Sequence, residues 1–415
     1  MDVKKVLIIG LVWPEPTSSA AGTRMVQLVR MFLSAAYEVT FASAASKSEF
    51  SFDLPGIGVK EEVIRLNDNS FNSFLTVLEP DLVVFDRFMT EEQYGWRVRQ
   101  ECAGALCILD TEDLHSLRYA RQDAVKTGRV MDSADLFSDL AKRELAAIWR
   151  CDLTLMISEV EMEILKTVFR VDPSLIYYLP FLEDQTSDED MASWKDFEER
   201  EGFVFIGNFL HEPNWNTLQV LKREIWPALR KKLPEAIMHI YGSYASQKVM
   251  QLHQPKDNFL VHGRADDARD AIGRHKVLLA PILFGAGVKG KFIDAMKAGT
   301  PTVTTPAGAE AMKGELDWNG MISDDLGLIT SYAVELYKNR DLWMQSQQNG
   351  LRILNERYDK SRHISPFIEK IVTLSTKLSA HRQHNFFGQV LQHHTVNSTK
   401  YMSLWIEEKN KGKQS

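Results

Sequence analysis

The sequence predicts two doubly wound α/β domains in tandem, followed by a helical extension. Three observations carry that prediction. Short runs rich in Val, Ile and Leu alternate with segments of helical periodicity, the way parallel strands buried on both faces read. The alternation breaks once, at the polar acidic stretch from Glu183 to Asp190, and then resumes. The chain has 415 residues, 44% apolar and 25% charged, which is too long for one hydrophobic core and too apolar for global disorder.

The first series of strands reads Val6 to Ile9, Glu38 to Ala42, Leu82 to Asp86, Leu106 to Asp110, Leu153 to Ile157 and Ile176 to Leu179. The acidic stretch after it has nothing to bury and reads as linker. This gives a first domain over 1–182 and a linker over 183–200. The second series reads Phe203 to Ile206, Ile237 to Tyr241, Phe259 to His262, Val277 to Leu283 and Thr302 to Thr305, a second domain over 201–360. Its first helix begins at Pro213-Asn214 and carries Leu218, Leu221 and Ile225; Pro227, late in that run, predicts a kink or a restart. Residues 361–415 show helical periodicity and no strand signal. From Lys360 onward nine Lys or Arg face three acids, so the tail is basic on a chain of net charge -7.

That acidic balance gives no whole-chain attraction to nucleic acid. Cys102, Cys107 and Cys151 match no metal or redox spacing, and an odd trio suits a reducing compartment. The apolar run before Leu11 is too short for a signal peptide, and no later run reaches the roughly 18 residues a membrane span needs. The expectation is a cytoplasmic protein that neither enters nor crosses a bilayer by itself.

Ligands of open α/β sheets gather beyond the carboxyl ends of strands. After the first strand, Gly10 to Arg24 forms a long loop of small residues entering a helix whose first amides suit a phosphate or a sugar. Gly10 and Gly22 are too far apart for a dinucleotide fingerprint, which demotes a dehydrogenase, and a plain solvent loop fits the length equally well. Further on, Asp110, Glu112, Asp113, His115 and Arg118 crowd one strand end, a density that is costly unless it faces a cleft. The alternative is that Asp113 caps the next helix and His115 lies at the surface. Asp86-Arg87 ends an earlier strand in the same direction.

In the second series, Gly207-Asn208, Gly242-Ser243 and Gly263-Arg264 each follow a strand. The richest segment runs from Ala280 to Pro301, where Gly285, Gly287, Lys289, Gly290 and Lys291 precede a helix. Glycines let backbone amides approach a ligand and lysines add charge at a helix N-terminus, so the segment suits a diphosphate. The Walker order is absent, since Phe292 follows Lys291, and a structural glycine turn is the alternative. Asp294, on the same helix, suits ribose hydroxyls. Glu310, in Gly308-Ala309-Glu310, brings another acid near that rim.

Together these residues resemble glycosyltransferases of the GT-B fold, specifically the large retaining family four in its G-x-G-V-K-G-K variant. The resemblance rests on the block from Gly285 to Gly299 with Thr300 to Thr305 and Gly308-Ala309-Glu310, on Gly207-Asn208-Phe209 with Pro213-Asn214, and on Leu109 to His115. It spans roughly residues 4 to 360. It implies two Rossmann-like domains facing across a cleft, with the final helices packing back toward the first. It implies a nucleoside-diphosphate sugar held by the C-terminal domain, a carbohydrate or lipid-linked acceptor held by the N-terminal domain, and transfer with retention that needs no cofactor and no metal.

By the same resemblance Asp294 takes the place of the second acid of the family's E-x7-E motif and holds ribose. Lys289 and Lys291 lie beside the diphosphate and, with His115 near the transferred sugar, are the catalytic expectation. Gly22, Gly207, Asn208, Gly242, Arg264, Gly287, Val288 and Glu310 complete the donor side; Arg24, Asp86, Arg87 and Asp113 form the acceptor side. The chain departs from the pattern at Ala286, where the first glutamate of the motif stands in the family, and it lacks the Arg/Lys pair after Gly207. An epimerase or phosphorylase of the same fold, or a non-catalytic nucleotide-sugar-binding subunit, are the competing readings.

In the tail, Phe367, Ile371, Leu374 and Leu378 recur at helical spacing and are expected to pack across the hinge. Tyr401, Leu404 and Trp405 form a second stripe flanked by Lys400, Lys409, Lys411 and Lys413. Packing is expected there too, with contact to an anionic membrane peripheral and salt-sensitive. His393-His394 reads as a solvated or packed pair rather than a metal site.

Overall fold

A computed structural model describes residues 4–393, 401–403 and 405–406. Strands β1 (Lys5–Gly10), β2 (Glu38–Ser43), β3 (Lys60–Val63), β4 (Leu82–Asp86), β5 (Leu106–Asp110), β6 (Leu153–Met156) and β7 (Ile176–Tyr178) form one parallel sheet in the order β3-β2-β1-β4-β5-β6-β7. Strands β8 (Phe203–Ile206), β9 (Met238–Tyr241), β10 (Phe259–Gly263), β11 (Val277–Ala280), β12 (Thr302–Thr304) and β13 (Gly320–Ile322) form a second parallel sheet, ordered β10-β9-β8-β11-β12-β13. Helices cover both faces of each, so β4, β5, β6, β8 and β11 are buried at every position and carry apolar side chains almost throughout. Strand order reverses between β1 and β4 in the first sheet and between β8 and β11 in the second, which opens a crevice at each of those places.

Two strands escape the sequence reading. β3 is the charged run Lys-Glu-Glu-Val on a sheet edge, and β13 is a three-residue edge strand starting at Gly320. Neither is buried enough to need an apolar run. The stretch expected to be plain linker also carries structure. A capping box between Ser187 and Asp190 starts a short helix, Asp188–Ala192, while Trp194 donates to the Lys297 carbonyl at 2.9 Å. The acids there cap a helix end that favours negative charge. Pro227 acts as expected: the helix Glu212–Val220 widens to a π turn over Leu221–Ile225 and restarts as Trp226–Lys232.

One buried ion pair organises the first domain. Arg24, on the helix Ala20–Ser34, places Nε 3.0 and 3.1 Å from the two carboxylate oxygens of Asp110 at the end of β5, with Nη2 2.7 Å from Oδ1. Its Nη1 donates to the carbonyls of Leu179 and Pro180, where the chain leaves the first domain. Both side chains are essentially inaccessible. Arg24 therefore does not belong to the acceptor side of a cleft, where the sequence placed it. It is a structural cation, and only the fold reveals the acid that holds it.

The helix Lys360–Thr376 returns from the second domain and sinks Phe367, Ile371 and Leu374 into the core of the first; Phe367 stacks 5.3 Å from Tyr177 and 6.5 Å from Phe32. Leu378 packs against the same cluster. Arg382 then clamps Asp152 and the carbonyls of Ala103 and Ala105. In the second stripe Tyr401 is 65% and Trp405 57% exposed. Phe387, before it, sets its ring edge-on to Trp149 at 4.8 Å. His394, Lys400, Leu404, Lys409, Lys411 and Lys413 lie outside the described residues, and His393 is exposed. Among the described residues no helix is long and apolar enough to cross a membrane.

Two substitutions measure these anchors by urea unfolding. Arg24→Ala leaves the Asp110 carboxylate buried without its cation and is expected to cost about 3–5 kcal/mol. Phe367→Ala is expected to cost about 3–5 kcal/mol through the cavity it opens. A change under about 1 kcal/mol in either would contradict the anchoring role.

Candidate active site

The two crevices face each other, and the loops that leave β1, β4, β5, β8, β9 and β11 enclose a cleft of about 630 Å³ between the domains. The first domain contributes Leu11 to Thr23, Asp86, Arg87, Glu112, Asp113, His115 and Arg118. The second contributes Gly207, Asn208, His211, Asn214, Gly242, Val288, Lys289, Lys291 and Asp294. The loops pack closely on the second side: a Cβ at Gly242 would stand 2.0 Å from the Gly207 carbonyl. Asn208 turns back on itself, its Oδ1 accepting from the Leu210 amide at 2.9 Å.

On that side the floor is cationic. Lys289 and Lys291, both half-buried, precede and open the helix Gly290–Lys297, whose N-terminus has no side-chain cap. Lys289 donates to the Gly287 carbonyl at 2.9 Å; Lys291 donates to Asn214 Oδ1 and lies 4.6 Å from the centre of the Phe205 ring. Neither ammonium forms an ion pair among the described residues. Burial lowers Lys289 to about 8, and burial, then Lys289 itself, lowers Lys291 to about 7. Asp294 stands at the rim, 3.5 Å from Arg269, and burial raises its carboxyl to about 6.

The opposite wall is acidic and tightly cross-braced. Asp86 Oδ2 accepts from the Leu11 amide at 3.0 Å, and Arg87 Nε is 3.7 Å from its other oxygen. Asp113 holds Arg118 by a hydrogen bond and has His115 Nε2 at 3.4 Å. Burial outweighs Asp113 and lowers His115 to about 4, so the ring is neutral at neutral pH. Asp113 does not cap the next helix. The amides of His115 and Ser116 are taken by Glu144 at 2.8 and 3.1 Å and that of Leu114 by Glu161, both glutamates buried.

Four residues expected on the donor side serve other ends. The Gly287 amide donates to Glu161 across the interface, and Gly287, at φ 62° with Asp113 close by, is one of the points where the domains touch. Glu310 does not line the cleft: both its oxygens are held by Arg121 of the first domain, at 2.7 and 2.8 Å, while Arg121 also binds the Gly285 carbonyl at 2.7 Å. Arg264 sits outside the cleft, bonded to Thr17 at 2.6 Å and stacked 4.1 Å from the Phe50 ring. Gly22 lines the cleft, but its amide is engaged by Ser19 Oγ at 3.0 Å, and a side chain there would strike the Glu15 backbone.

His211 and Asn214 of the β8 loop and Glu112 and Arg118 of the β5 end, to which the sequence assigned no role, all line the cleft. They lay inside strings already singled out, so strand-end position was the available signal. Glu144, Glu161 and Arg121 carried none, being ordinary charged residues within helices. Among the described residues no group of three or more His, Cys, Asp or Glu side chains is placed to hold a metal ion.

Comparison with known proteins agrees with this architecture. Residues 200–339 match the family of glycosyl transferases group 1. A curated relative, an uncharacterized 44.6 kDa protein in the cps region of Klebsiella pneumoniae, is 23% identical over 174 residues; the match covers 40% of this chain and 45% of that protein, so the chain spans under half of its length. Among solved structures, a TarM mutant of S. aureus in complex with fondaparinux, alpha-GlcNAc-glycerol and UDP is 10% identical, with a TM-score of 0.65 over 89% of this chain and all of that one. Sucrose-phosphate synthase of Thermosynechococcus elongatus is 13% identical with a TM-score of 0.67 over 89% of this chain and 99% of that one. Anabaena HepE in complex with UDP and glucose is 14% identical, with a TM-score of 0.65 over 89% of this chain and all of that one. The chain has the GT-B fold, with a helical C-terminal extension.

Because burial depresses Lys289 and Lys291 and neither forms an ion pair among the described residues, a bound anion should raise both. Pyrophosphate binding is therefore expected to take up protons and to weaken as pH rises through 7 to 8, where the ammonium forms are lost. Calorimetry in two buffers of different ionisation enthalpy reads the uptake; pH-independent binding without uptake would contradict it.

Proposed function

We propose that the protein is a retaining glycosyltransferase that moves a sugar from a nucleoside-diphosphate sugar to an acceptor hydroxyl in glycoconjugate synthesis. The observation that carries this reading is the pair Lys289 and Lys291, half-buried in an interdomain cleft and, among the described residues, in no ion pair. A diphosphate supplies the missing negative charge, and the uncapped helix N-terminus at Gly290 adds amides that favour it. The match to glycosyl transferases group 1 over residues 200–339, the stretch that contains both lysines, supports the reading.

In the transfer the bond between the anomeric carbon and the diphosphate oxygen breaks, and charge gathers on the leaving group beside the two lysines. Their stabilising effect is greatest there, which is the condition for catalysis rather than mere binding. The acceptor hydroxyl attacks from the same face, and its proton ends on the departing diphosphate. Asp294 is poised for ribose hydroxyls. His115, neutral at neutral pH, is available as a hydrogen-bonding group near the transferred sugar. Gly207, Asn208, Gly242 and Val288 shape the donor pocket, with the acceptor on the side of Asp86, Arg87 and Asp113. Exposed Phe386, Phe387 and Val390, close to the basic tail, support peripheral contact with an anionic bilayer and so access to a lipid-linked acceptor.

Uridine or guanosine diphosphate is expected to stabilise the protein without added divalent metal, by about 2.7 kcal/mol at a hundredfold excess over Kd. A thermal shift seen only with magnesium or manganese would count against a metal-independent site. Asp294→Ala should weaken nucleotide binding, whereas His115→Ala should spare it and lower turnover of the donor. Equal loss of nucleotide binding in both would remove this division of roles. Slow hydrolysis of the donor separates a transferase from a binding subunit, which releases no sugar.

A further inference from the structure

We propose that the wall at the ends of β4 and β5 is a clamp for an uncharged, hydroxyl-rich part of the acceptor, with Asp86 and Glu112 as the residues that select it. The inference rests on the transferase reading and adds a substrate class to it: a neutral sugar or polyol at the reacting end, not a uronic acid or a phosphorylated sugar.

Asp86 is only 4% exposed, yet it lines the cleft, and its Oδ1 accepts no hydrogen bond. Glu112 lines the cleft too, and its Oε1 is buried and likewise without a partner. Ser18 Oγ, on the facing loop, is a third buried oxygen without one. Buried polar atoms are nearly always paired, and an unpaired one calls for an explanation. All three of these atoms belong to residues that line the cleft. The backbone there is unusual as well: Arg87, after β4, has φ 69°, and Glu112, after β5, has φ 62°. Left-handed non-glycine residues of this kind persist only where the surrounding structure over-determines them, and they cluster at ligand sites.

The chemistry that satisfies the wall follows from the atoms themselves. Carboxyl oxygens without partners accept hydrogen bonds, so the occupant must bring O–H or N–H groups. A carboxylate or phosphate against the Asp86 carboxylate would set acceptor against acceptor and charge against charge. The cations of the wall do not change this. Arg87 lies beside Asp86 and Arg118 is bonded to Asp113, so an anionic ligand would have to compete with both. Lys289 and Lys291, which form no ion pair among the described residues, belong to the other domain. Burial, then Asp110, raises the Glu112 carboxyl to about 8. It therefore keeps a proton at neutral pH and can donate to a sugar oxygen while Oε1 accepts.

The test uses the full chain saturated with UDP and titrated, by saturation-transfer NMR and calorimetry, with methyl hexosides of gluco, galacto and manno configuration and with their methyl uronosides. Each pair differs only at the sixth carbon. At least one neutral hexoside is expected to bind about tenfold or more tightly than its uronoside. Glu112→Ala should weaken that hexoside about tenfold, whereas Glu112→Gln, which mimics the protonated carboxyl, should retain binding within about threefold. Asp86→Asn, which can still accept from the Leu11 amide, should shrink the discrimination against the uronoside; if it fails to fold, the Glu112 pair decides alone. Uronosides that bind as well as or better than their neutral partners, no hexoside binding to a chain that binds UDP, or unchanged hexoside binding in Glu112→Ala would each overturn the clamp. Failure to bind UDP would instead overturn the transferase reading, and the hexoside titration of the free chain would still judge the clamp.

Discussion

The bidentate pair between Arg24 and Asp110 is the constraint on which the acidic wall depends. Asp86 and Asp110 are direct register partners on β4 and β5, so the fold sets two carboxylates side by side at the buried end of a sheet, with strands about 4.8 Å apart. Left alone, that arrangement would force one of them to stay protonated or drive the strand ends apart. The Arg24 guanidinium neutralises Asp110 and closes its geometry, which frees Asp86 to face the cleft. The same guanidinium grips the carbonyls of Leu179 and Pro180. One side chain thus ties the first helix, the sheet and the departure toward the second domain into a single rigid corner.

From that corner the interface is built by polar groups that bond across it and are thereby taken from any ligand. Glu161 joins the amides of Leu114 and Gly287, one from each domain, and Arg121 joins Glu310 to the Gly285 carbonyl. At the mouth, Tyr244 reaches Glu15 at 2.7 Å and Arg264 reaches Thr17. Glu183 anchors the hinge itself, holding Gln27 of the first domain and Lys297 of the second while its backbone pairs with Tyr358 and Lys360. The glycine-rich loop after β11 is consequently fixed in place before any ligand arrives, which is the preorganisation that binding and transition-state stabilisation both need. What stays open to the cleft includes two lysines, one helix N-terminus, Asp294 and the opposing acids.

Much of this was legible in the sequence, for definite reasons. Buried parallel strands must be apolar along their whole length, so β4, β5, β8 and β11 announce themselves, and the site must follow their ends. Edge strands carry no such demand, which is why Lys60–Val63 and Gly320–Ile322 were silent. The greater loss concerns pairing. Arg24, Gly287, Arg264 and Glu310 sit where a ligand-binding residue would sit, and nothing local distinguishes a charge that meets a substrate from one that meets a side chain 86 or 189 positions away. Glycine is equally ambiguous: Gly22 and Gly287 are required by close backbone and interdomain contacts rather than by a phosphate. The tail shows the converse limit, since helical periodicity marks both the stripe at Phe367 that is buried and the stripe at Tyr401 that is exposed.

The division of charge between the walls bears on how the proposed chemistry would run. On the transferase reading, negative charge grows on the diphosphate and positive charge on the sugar as the bond breaks. The lysines stand on the side where the first develops, and Asp86, Asp113 and the Glu112 carboxyl stand on the side from which the acceptor would approach. Such a field is set by the fold and needs no reorganisation at the moment of reaction. A protonated imidazole on the acidic wall would oppose it, placing a cation beside Arg87 and Arg118. Burial against the Phe88 ring, 5.5 Å away, keeps His115 neutral instead, so the ring can orient a hydroxyl without reversing the polarity of the cleft. The acceptor wall is therefore suited to holding a neutral nucleophile in place, and the donor wall to receiving the charge that its attack releases.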